Sequence, residues 1–280
     1  MTRKTSKGLP AGFLDRVSSF ETIILSNPAP RVLLVTLNRP RKLNAFNELM
    51  IREMRQVIWD ANFDDEIRVI IITGAGRAFC AGRDIDGLHY ENNLPTAGYR
   101  SYVRANHELF DEMEAIEKPI IAAVNGICAG GGVEMAIACD FRVASSNAEF
   151  LLPENQLGVI PASGACSRMI QMIGIGRLKE MVMAVRPFTA DKALQVGLVT
   201  DVVSQDELMK SSIDLAQSLI ALSPQALGMA KHIINICQNV DTETGRQLER
   251  LGQSVLIRTS DNKEGMTAFS GKRKPKFSGR

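Results

Sequence analysis

A chain of 280 residues with 45% hydrophobic and 23% charged residues can bury a sizeable core, in one large domain or two small ones, and has the make-up of an ordinary globular protein. Its formal net charge is +2, and no long block of one sign occurs outside Lys272-Arg273-Lys274-Pro275-Lys276, so wholesale attraction to nucleic acid or membrane surfaces is not expected. No apolar run approaches membrane-spanning length, and Met1-Thr2-Arg3-Lys4 is not followed by the apolar segment of a signal peptide. Five scattered cysteines without a Cys-x-x-Cys pair read as reduced thiols, mostly buried, and a soluble cytoplasmic protein is the expectation. The basic tail reads as a solvated terminus or as a holder of an anionic ligand.

In chain order, Thr22 to Leu25 and Val32 to Leu37 are predicted as short strands around a turn at Asn27-Pro28-Ala29-Pro30, both being rich in aliphatic and β-branched residues. Asn38-Arg39-Pro40 breaks that pattern. From Asn47, a candidate N-cap, the residues Leu49, Met50, Met54, Val57, Ile58 and Ala61 fall on one helical face. Val69 to Thr73 is predicted as a buried strand that Gly74-Ala75-Gly76 ends. Ile120 to Val124 repeats the scheme and runs through Asn125-Gly126 into a glycine-rich segment, after which Val133 to Cys139 is predicted helical and Phe141 to Ala144 a further strand. This alternation favours an α/β core. Ser204-Gln205-Asp206-Glu207 has the capping-box pattern, and Leu208, Leu215, Leu219 and Leu222 open a helical region that Pro224 interrupts and restarts. With no repeat of fixed period, no low-complexity stretch and no Pro/Ser-rich linker, the helical C-terminal third is expected to pack on the core.

Two glutamates stand out for their surroundings. Glu134 closes Cys128-Ala129-Gly130-Gly131-Gly132-Val133-Glu134, and Glu154 lies in Leu152-Pro153-Glu154-Asn155-Gln156-Leu157-Gly158. A lone Glu is most often a solvated surface group. A helix starting at three glycines, however, offers unpaired N–H groups and a positive dipole end that a ligand oxygen can approach. Glu134 follows Gly131 by three residues and shares its helical face, so a backbone donor and a proton-transferring carboxylate would converge on one acyl group. The competing reading is that the glycines only permit close helix–strand packing, with Glu134 exposed.

The segment Gly74 to Ile85 also carries glycines, but their spacing and position do not make a dinucleotide fingerprint, and NAD is not expected. Three histidines without a paired acidic motif give no metal signature, and no Gly-x-Ser-x-Gly elbow is present. His232 reads as a surface or packed residue and Ser163 as a turn residue.

Four segments in order carry a resemblance. Asn38-Arg39-Pro40 with Asn44-Ala45, then Arg77-Ala78-Phe79-Cys80-Ala81-Gly82-Arg83-Asp84-Ile85, then Ala129-Gly130-Gly131-Gly132-Val133-Glu134, then Pro153-Glu154 with Leu157-Gly158-Val159-Ile160-Pro161, resemble the enoyl-CoA hydratase/isomerase (crotonase) superfamily. The resemblance implies an α/β, crotonase-like (ClpP/crotonase) fold. Its core of repeated ββα units would span residues 15–203, and residues 204–280 would form a helical trimerisation region that belongs to the same domain and covers the active site. It also implies an acyl-CoA substrate held in a bent shape, no cofactor beyond the coenzyme A of that substrate, no metal, and a homotrimer or homohexamer.

Carried over residue by residue, the backbone N–H groups of Arg83 and Gly131 would form an oxyanion hole. Lys42, Leu43, Ala45, Ala81, Arg83, Asp84, Ile85, Gly131 and Pro153 would line the CoA and substrate groove. Glu134 and Glu154 fill both positions that hydratases use to hold a water for addition across the C2–C3 double bond of a 2-enoyl-CoA thioester. Glu134 is assigned as activator of water and Glu154 as proton donor. The alternatives are a double-bond isomerase or a hydratase-lyase that goes on to cleave its product. An RNA-binding member of the family is disfavoured, because the corresponding helix offers only Arg52 and Arg55. A glycosidase is disfavoured by an aromatic content of 5% with Trp59 the single tryptophan.

The chain departs from the family pattern at Arg83, where small residues are common. Its guanidinium either reaches a phosphate or an acyl carboxylate, or points outward. Asn155 and Gln156 also depart. Tyr90, Tyr99, Tyr102, His89 and His107 cluster between Ile85 and Leu109, either to shape the pocket for a bulky or cyclic acyl group or as packing residues of a covering helix.

Overall fold

The computed structural model describes residues 20–87 and 93–280. In chain order its elements are β1 (Ile23–Ala29), β2 (Val32–Leu37), α1 (Glu48–Phe63), β3 (Val69–Gly74), β4 (Ala78–Cys80) and α2 (Thr96–Ala115). Then come β5 (Ile120–Val124), β6 (Ile127–Ala129), α3 (Gly131–Ile137), β7 (Phe141–Ser145), β8 (Glu149–Leu151) and α4 (Ala165–Val182), which kinks at Gly174. The remainder is β9 (Phe188–Thr189), α5 (Ala190–Gln195), β10 (Asp201–Val203), α6 (Leu208–Ile220), α7 (Pro224–Cys237), α8 (Thr242–Leu256) and α9 (Ser260–Ser270).

The aliphatic runs become a six-stranded sheet in the order β1-β2-β3-β5-β7-β10, parallel except for the β1–β2 pair. Its central strands are covered on both faces, which is why they are near-continuously apolar. In β3, Ile70 and Ile72 join the main core with Met50, Met54 and Val57 of α1, while Val69 and Ile71 meet Leu208, Ala216 and Leu219 of α6. Asn47 caps α1 as expected, accepting the Met50 N–H at 3.0 Å. The first strand runs on through Ala29 instead of turning at Asn27. Its register is irregular between Ser26 and Ala29, and as an edge strand it tolerates Pro28.

The first strand of each of three units, β3-β4-α2, β5-β6-α3 and β7-β8-α4, joins the six-stranded sheet. The second joins a smaller sheet in the order β4-β6-β8-β9. These units start at Val69, Ile120 and Phe141, spacings too unequal to register as a period in the sequence. Buried asparagines hold the chain where it passes between sheets. Asn125 Oδ1 accepts the Gly74 N–H at 3.0 Å, and Asn44 Nδ2 donates to the carbonyls of Ala75 and Ala78 at 2.9 and 2.8 Å.

The helical end packs against this core. The expected capping box at Ser204 is not made: its side chain forms no cap bond, and a 3-10 turn over Gln205–Glu207 precedes α6, with the Glu207 N–H given to the Ser204 carbonyl. Pro224 sits in the first turn of α7, whose buried Lys231 donates to Asp140 at 2.9 Å and to the Met113 carbonyl at 2.9 Å. Lys272 to Lys276 of the basic tail are exposed, and the chain around them is tied back to α9. Asp261 accepts the Ser278 N–H at 2.7 Å, and Arg273 pairs with Glu264 at 2.6 Å. All five cysteines are free, with Cys80, Cys128 and Cys139 buried. No helix among the described residues is long and apolar enough to cross a membrane.

Candidate active site

The smaller sheet brings the sequence motifs together. Its strands β4, β6 and β8 are adjacent and parallel, with Cys80 opposite Cys128 and Ala129 opposite Leu151. The segments that follow them, Gly82-Arg83, Gly130-Gly131 and Pro153-Glu154, therefore emerge side by side at the carboxyl ends of the strands, where open α/β sheets gather ligands. The Gly130 N–H bonds the Leu151 carbonyl at 2.8 Å, and a Cβ on Gly82 would lie 3.0 Å from Gly131 N.

The glycine run permits close packing and borders both carboxylates. A Cβ on Gly132 would fall 2.1 Å from the Cys80 carbonyl oxygen, so this glycine permits helix–strand packing. Gly130 has φ +52, and a Cβ there would lie 2.9 Å from Glu154 Oε1. A Cβ on Gly131 would meet the Phe46 ring at 2.5 Å and Glu134 Oε2 at 3.8 Å. The two carboxylates thus converge on one dipeptide. Gly131 is the first residue of α3, so its N–H has no acceptor within the helix.

Glu134 is buried, against the reading that would leave it exposed. Its Oε1 accepts the Ser163 N–H at 2.6 Å and the Ala165 N–H at 3.1 Å. Burial raises its pKa above the ordinary carboxylate value, while those two N–H groups and the Arg168 charge pull it back. Glu154 opens a 3-10 turn (Glu154–Leu157) capped by Pro153, and its Oε2 is buried without a partner among the described residues. Burial chiefly pushes its pKa up to about 7; the turn's backbone N–H opposes this and the neighbouring Glu134 charge adds to it.

Of the expected groove residues, Lys42, Leu43, Ala45, Ala81, Arg83, Asp84 and Ile85 lie on two neighbouring loops, whereas Gly131 and Pro153 lie beyond the ends of β6 and β8. Loop 39–46 is clasped to loop 81–86 by a bridge between Phe46 and Arg83, with the Phe46 N–H on the Gly82 carbonyl at 2.8 Å and the Asp84 N–H on the Phe46 carbonyl at 2.9 Å. Leu43 adopts φ 51 and accepts the Ala81 N–H at 2.9 Å. Arg39 binds the Ala45 carbonyl at 2.5 Å and the Asp84 carboxylate at 2.6 Å. Burial would raise the Asp84 pKa, but Arg39, the Asp86 N–H and Lys42 hold it below the usual range. Lys42 pairs with Asp86 at 2.6 Å, and Ile85 is exposed.

A cavity of about 420 Å³ opens between these loops and α2, lined by Arg39, Phe46, Glu48, Arg83, Asp84 and Tyr102. The Arg83 guanidinium turns toward α2 instead of pointing outward. It donates to the Tyr102 hydroxyl at 2.6 Å and lies 5.0 Å from that ring's centre, and Tyr102 donates onward to Glu48 at 3.1 Å. A larger cavity of about 850 Å³ is lined by His107, Ser163, Gly164 and Arg168 but by neither glutamate. The ring cluster is thus dispersed: Tyr102 faces the smaller cavity, His107 the larger, and Tyr99 is exposed, while His89 and Tyr90 lie outside the described residues. Ser163, read as a turn residue, proves to be a donor to Glu134. The signal for it is the start of α4 just beyond, since a helix start leaves backbone donors unpaired.

Two carboxylates set against a glycine-cleared helix start, at the carboxyl ends of parallel strands, form the candidate site of an α/β protein. The family model for enoyl-CoA hydratase/isomerase matches residues 29–280. Short-chain-enoyl-CoA hydratase of Clostridium acetobutylicum is 38% identical over 245 residues, 87% of this chain and 93% of the relative. 2,3-Dehydroadipyl-CoA hydratase of Escherichia coli is 38% identical over 250 residues, 89% of this chain and 96% of the relative. The crystal structure of enoyl-CoA hydratase from Bacillus anthracis matches with a TM-score of 0.87 at 34% identity, covering 93% of this chain and 100% of that one. The chain belongs to the enoyl-CoA hydratase/isomerase family and has its crotonase-like fold.

Proposed function

We propose that this protein hydrates 2-enoyl-CoA thioesters, adding water across the C2–C3 double bond. The observation that carries the reading is the convergence of Glu134 and Glu154 on the Gly130-Gly131 dipeptide, where burial raises the pKa of both. Glu134, an acceptor of two backbone N–H bonds, suits the ionised base that takes a proton from water as its oxygen attacks C3. The negative charge that moves to the thioester oxygen is received by the backbone N–H groups of Arg83 and Gly131, which favours the enolate-like state over the ground state. Glu154, half-protonated near neutral pH and with one oxygen unpartnered, gives its proton to C2. The product carries hydroxyl at C3 and hydrogen at C2, and proton exchange with solvent restores the pair.

Coenzyme A enters as part of the substrate, along the two loops that carry Lys42, Leu43, Ala45, Ala81, Asp84 and Ile85, and past Pro153. The names of the similar relatives support a CoA thioester, with a short or a carboxylate-bearing acyl chain. A cytoplasmic homotrimer or homohexamer is the assembly we assign, and exposed apolar residues of the C-terminal helices, among them Leu251, Val255, Met266 and Phe269, support contact between copies.

A panel of crotonyl-, long-chain, dicarboxylic and ring-bearing enoyl-CoA thioesters, followed by loss of the conjugated absorbance, tests the reading beside Glu134→Gln and Glu154→Gln. Full activity in both variants sinks the two-glutamate mechanism. Conversion of 3-enoyl-CoA without net hydration would instead identify the isomerase reading, in which the same pair shuttles one proton.

A further inference from the structure

Glu134 is held by groups that are themselves held from outside the site. Its two donors, Ser163 and Ala165, flank Gly164 in the turn that opens α4. Gly164 has φ +122, and a Cβ there would fall 1.8 Å from Arg168 Nη1, so the guanidinium occupies the space where a side chain would stand. Arg168 Nη1 donates to the Ser163 carbonyl at 3.0 Å. On its other side Nε and Nη2 form a bidentate pair with Glu114 at 2.7 and 2.8 Å, and Nη2 also reaches Asp111 at 2.7 Å.

The Ser163 residue is thus held at both ends, its carbonyl by Arg168 and its N–H by Glu134. A planar guanidinium in a two-pronged carboxylate contact fixes direction as well as distance, which a lysine point charge does not. Neither Arg168 nor its acidic partners is among the groups expected to touch substrate. We propose that Arg168 is a positioning residue for Glu134, transmitting to its carboxylate the placement of the covering helix α2 through Asp111 and Glu114. The proposal rests on the reading of Glu134 as the group that activates water.

The charged and titratable groups around this chain of contacts are Glu154 on its 3-10 turn, Arg168 and Cys166 on α4, and His107, Asp111 and Glu114 on α2. Replacing Arg168 by a neutral residue removes the one cation that favours ionised Glu134, loosens its donors and leaves two acidic side chains unpaired. All three changes move the Glu134 proton affinity upward.

The experiment compares Arg168→Gln, Arg168→Lys and Glu114→Gln in the full chain. Crotonyl-CoA hydration is measured against pH, with thermal melts, and the Glu134 carboxyl is titrated by infrared spectroscopy with Glu134→Gln assigning its band. Arg168→Gln is expected to lower kcat by about tenfold to a hundredfold, as small misplacements of a reacting group do, with KM changed less than about twofold. Its acidic limb and carboxyl band should both move to higher pH. Arg168→Lys keeps the charge and loses the fork, so kcat falls while the titration stays near wild type; Glu114→Gln gives a smaller loss of kcat. Unchanged kcat in Arg168→Gln overturns the proposal, as does a loss that only follows the unfolded fraction with the titration unmoved. Should the wild type hydrate no enoyl thioester, the hydratase reading fails by itself, and an unmoved carboxyl band in Arg168→Gln still overturns the positioning role.

Discussion

Glu134 and Glu154 face the same dipeptide from surroundings that differ in kind. The first lies on a seven-residue helix in which every residue is buried, with one oxygen held by two backbone N–H groups. The second opens a 3-10 turn that ends in exposed Leu157 and is followed by exposed Val159 and Ile160, with one oxygen buried and unpartnered among the described residues. Donors lower the cost of keeping a carboxylate ionised, and burial without donors raises it. Burial raises the pKa of both, and the two backbone N–H groups on Glu134 pull its value back, so two glutamates of one site meet different settings.

Substitution at the better-anchored residue should cost most. Glu134→Gln removes the base and presents an amide to two backbone donors, so kcat is expected to fall by about 10³-fold or more, the upper part of the range for general acid–base groups. Glu154→Gln is expected to lose about 10²-fold to 10³-fold, because water can replace a proton donor at a half-buried position more readily. Equal losses in the two variants, measured by steady-state hydration, would break the contrast between them.

The pH dependence sharpens it. Glu154 must carry its proton, so kcat/KM of the wild type should decline on the alkaline side of about 7, and Glu154→Gln should lack that limb. A stability effect in the same pH direction accompanies this. The folded-state pKa of Glu154 is raised from 4.5 to about 7, so its favourable contribution is fully present below pH 4.5 and is lost as pH rises through 7. Glu154→Gln should consequently raise Tm at pH about 8 relative to wild type and leave it nearly unchanged at pH about 4, in paired thermal melts. The smallest effect is expected at the cover. Tyr102→Phe removes the hydroxyl between Arg83 and Glu48 and should lower kcat/KM about threefold, as loss of one partly exposed hydrogen bond does.

How far the chain could be read follows element length and the kind of group involved. Five strands of the six-stranded sheet announced themselves as aliphatic runs, whereas β10 and the strands β4, β6 and β8 have three residues each, too few for any periodicity to register. Yet β4, β6 and β8 bring the motifs together. Glu134, Glu154, Arg83 and Gly131 were legible because they sit inside distinctive segments. The donors to Glu134 were not, since a backbone N–H leaves no mark on residue type. Arg168 was invisible for another reason: its partners Glu114 and Asp111 lie 54 and 57 positions away. At Ser204 a sound local signal lost to a tighter 3-10 turn.

The inequality of the repeats has a structural outcome. Helix α2 is spliced into the long connection between β4 and β6, while β6 and β8 are joined by the short α3–β7 passage. Because Cys80 pairs with Cys128 across that long connection, the ends of β4 and β6 stay adjacent although a helix and a strand intervene between them in the chain. Helix α2 is tied in along its length, through Tyr102 to Arg83, through Asp111 and Glu114 to Arg168, through the Met113 carbonyl to Lys231, and by Leu109, Phe110 and Met113 in the main core.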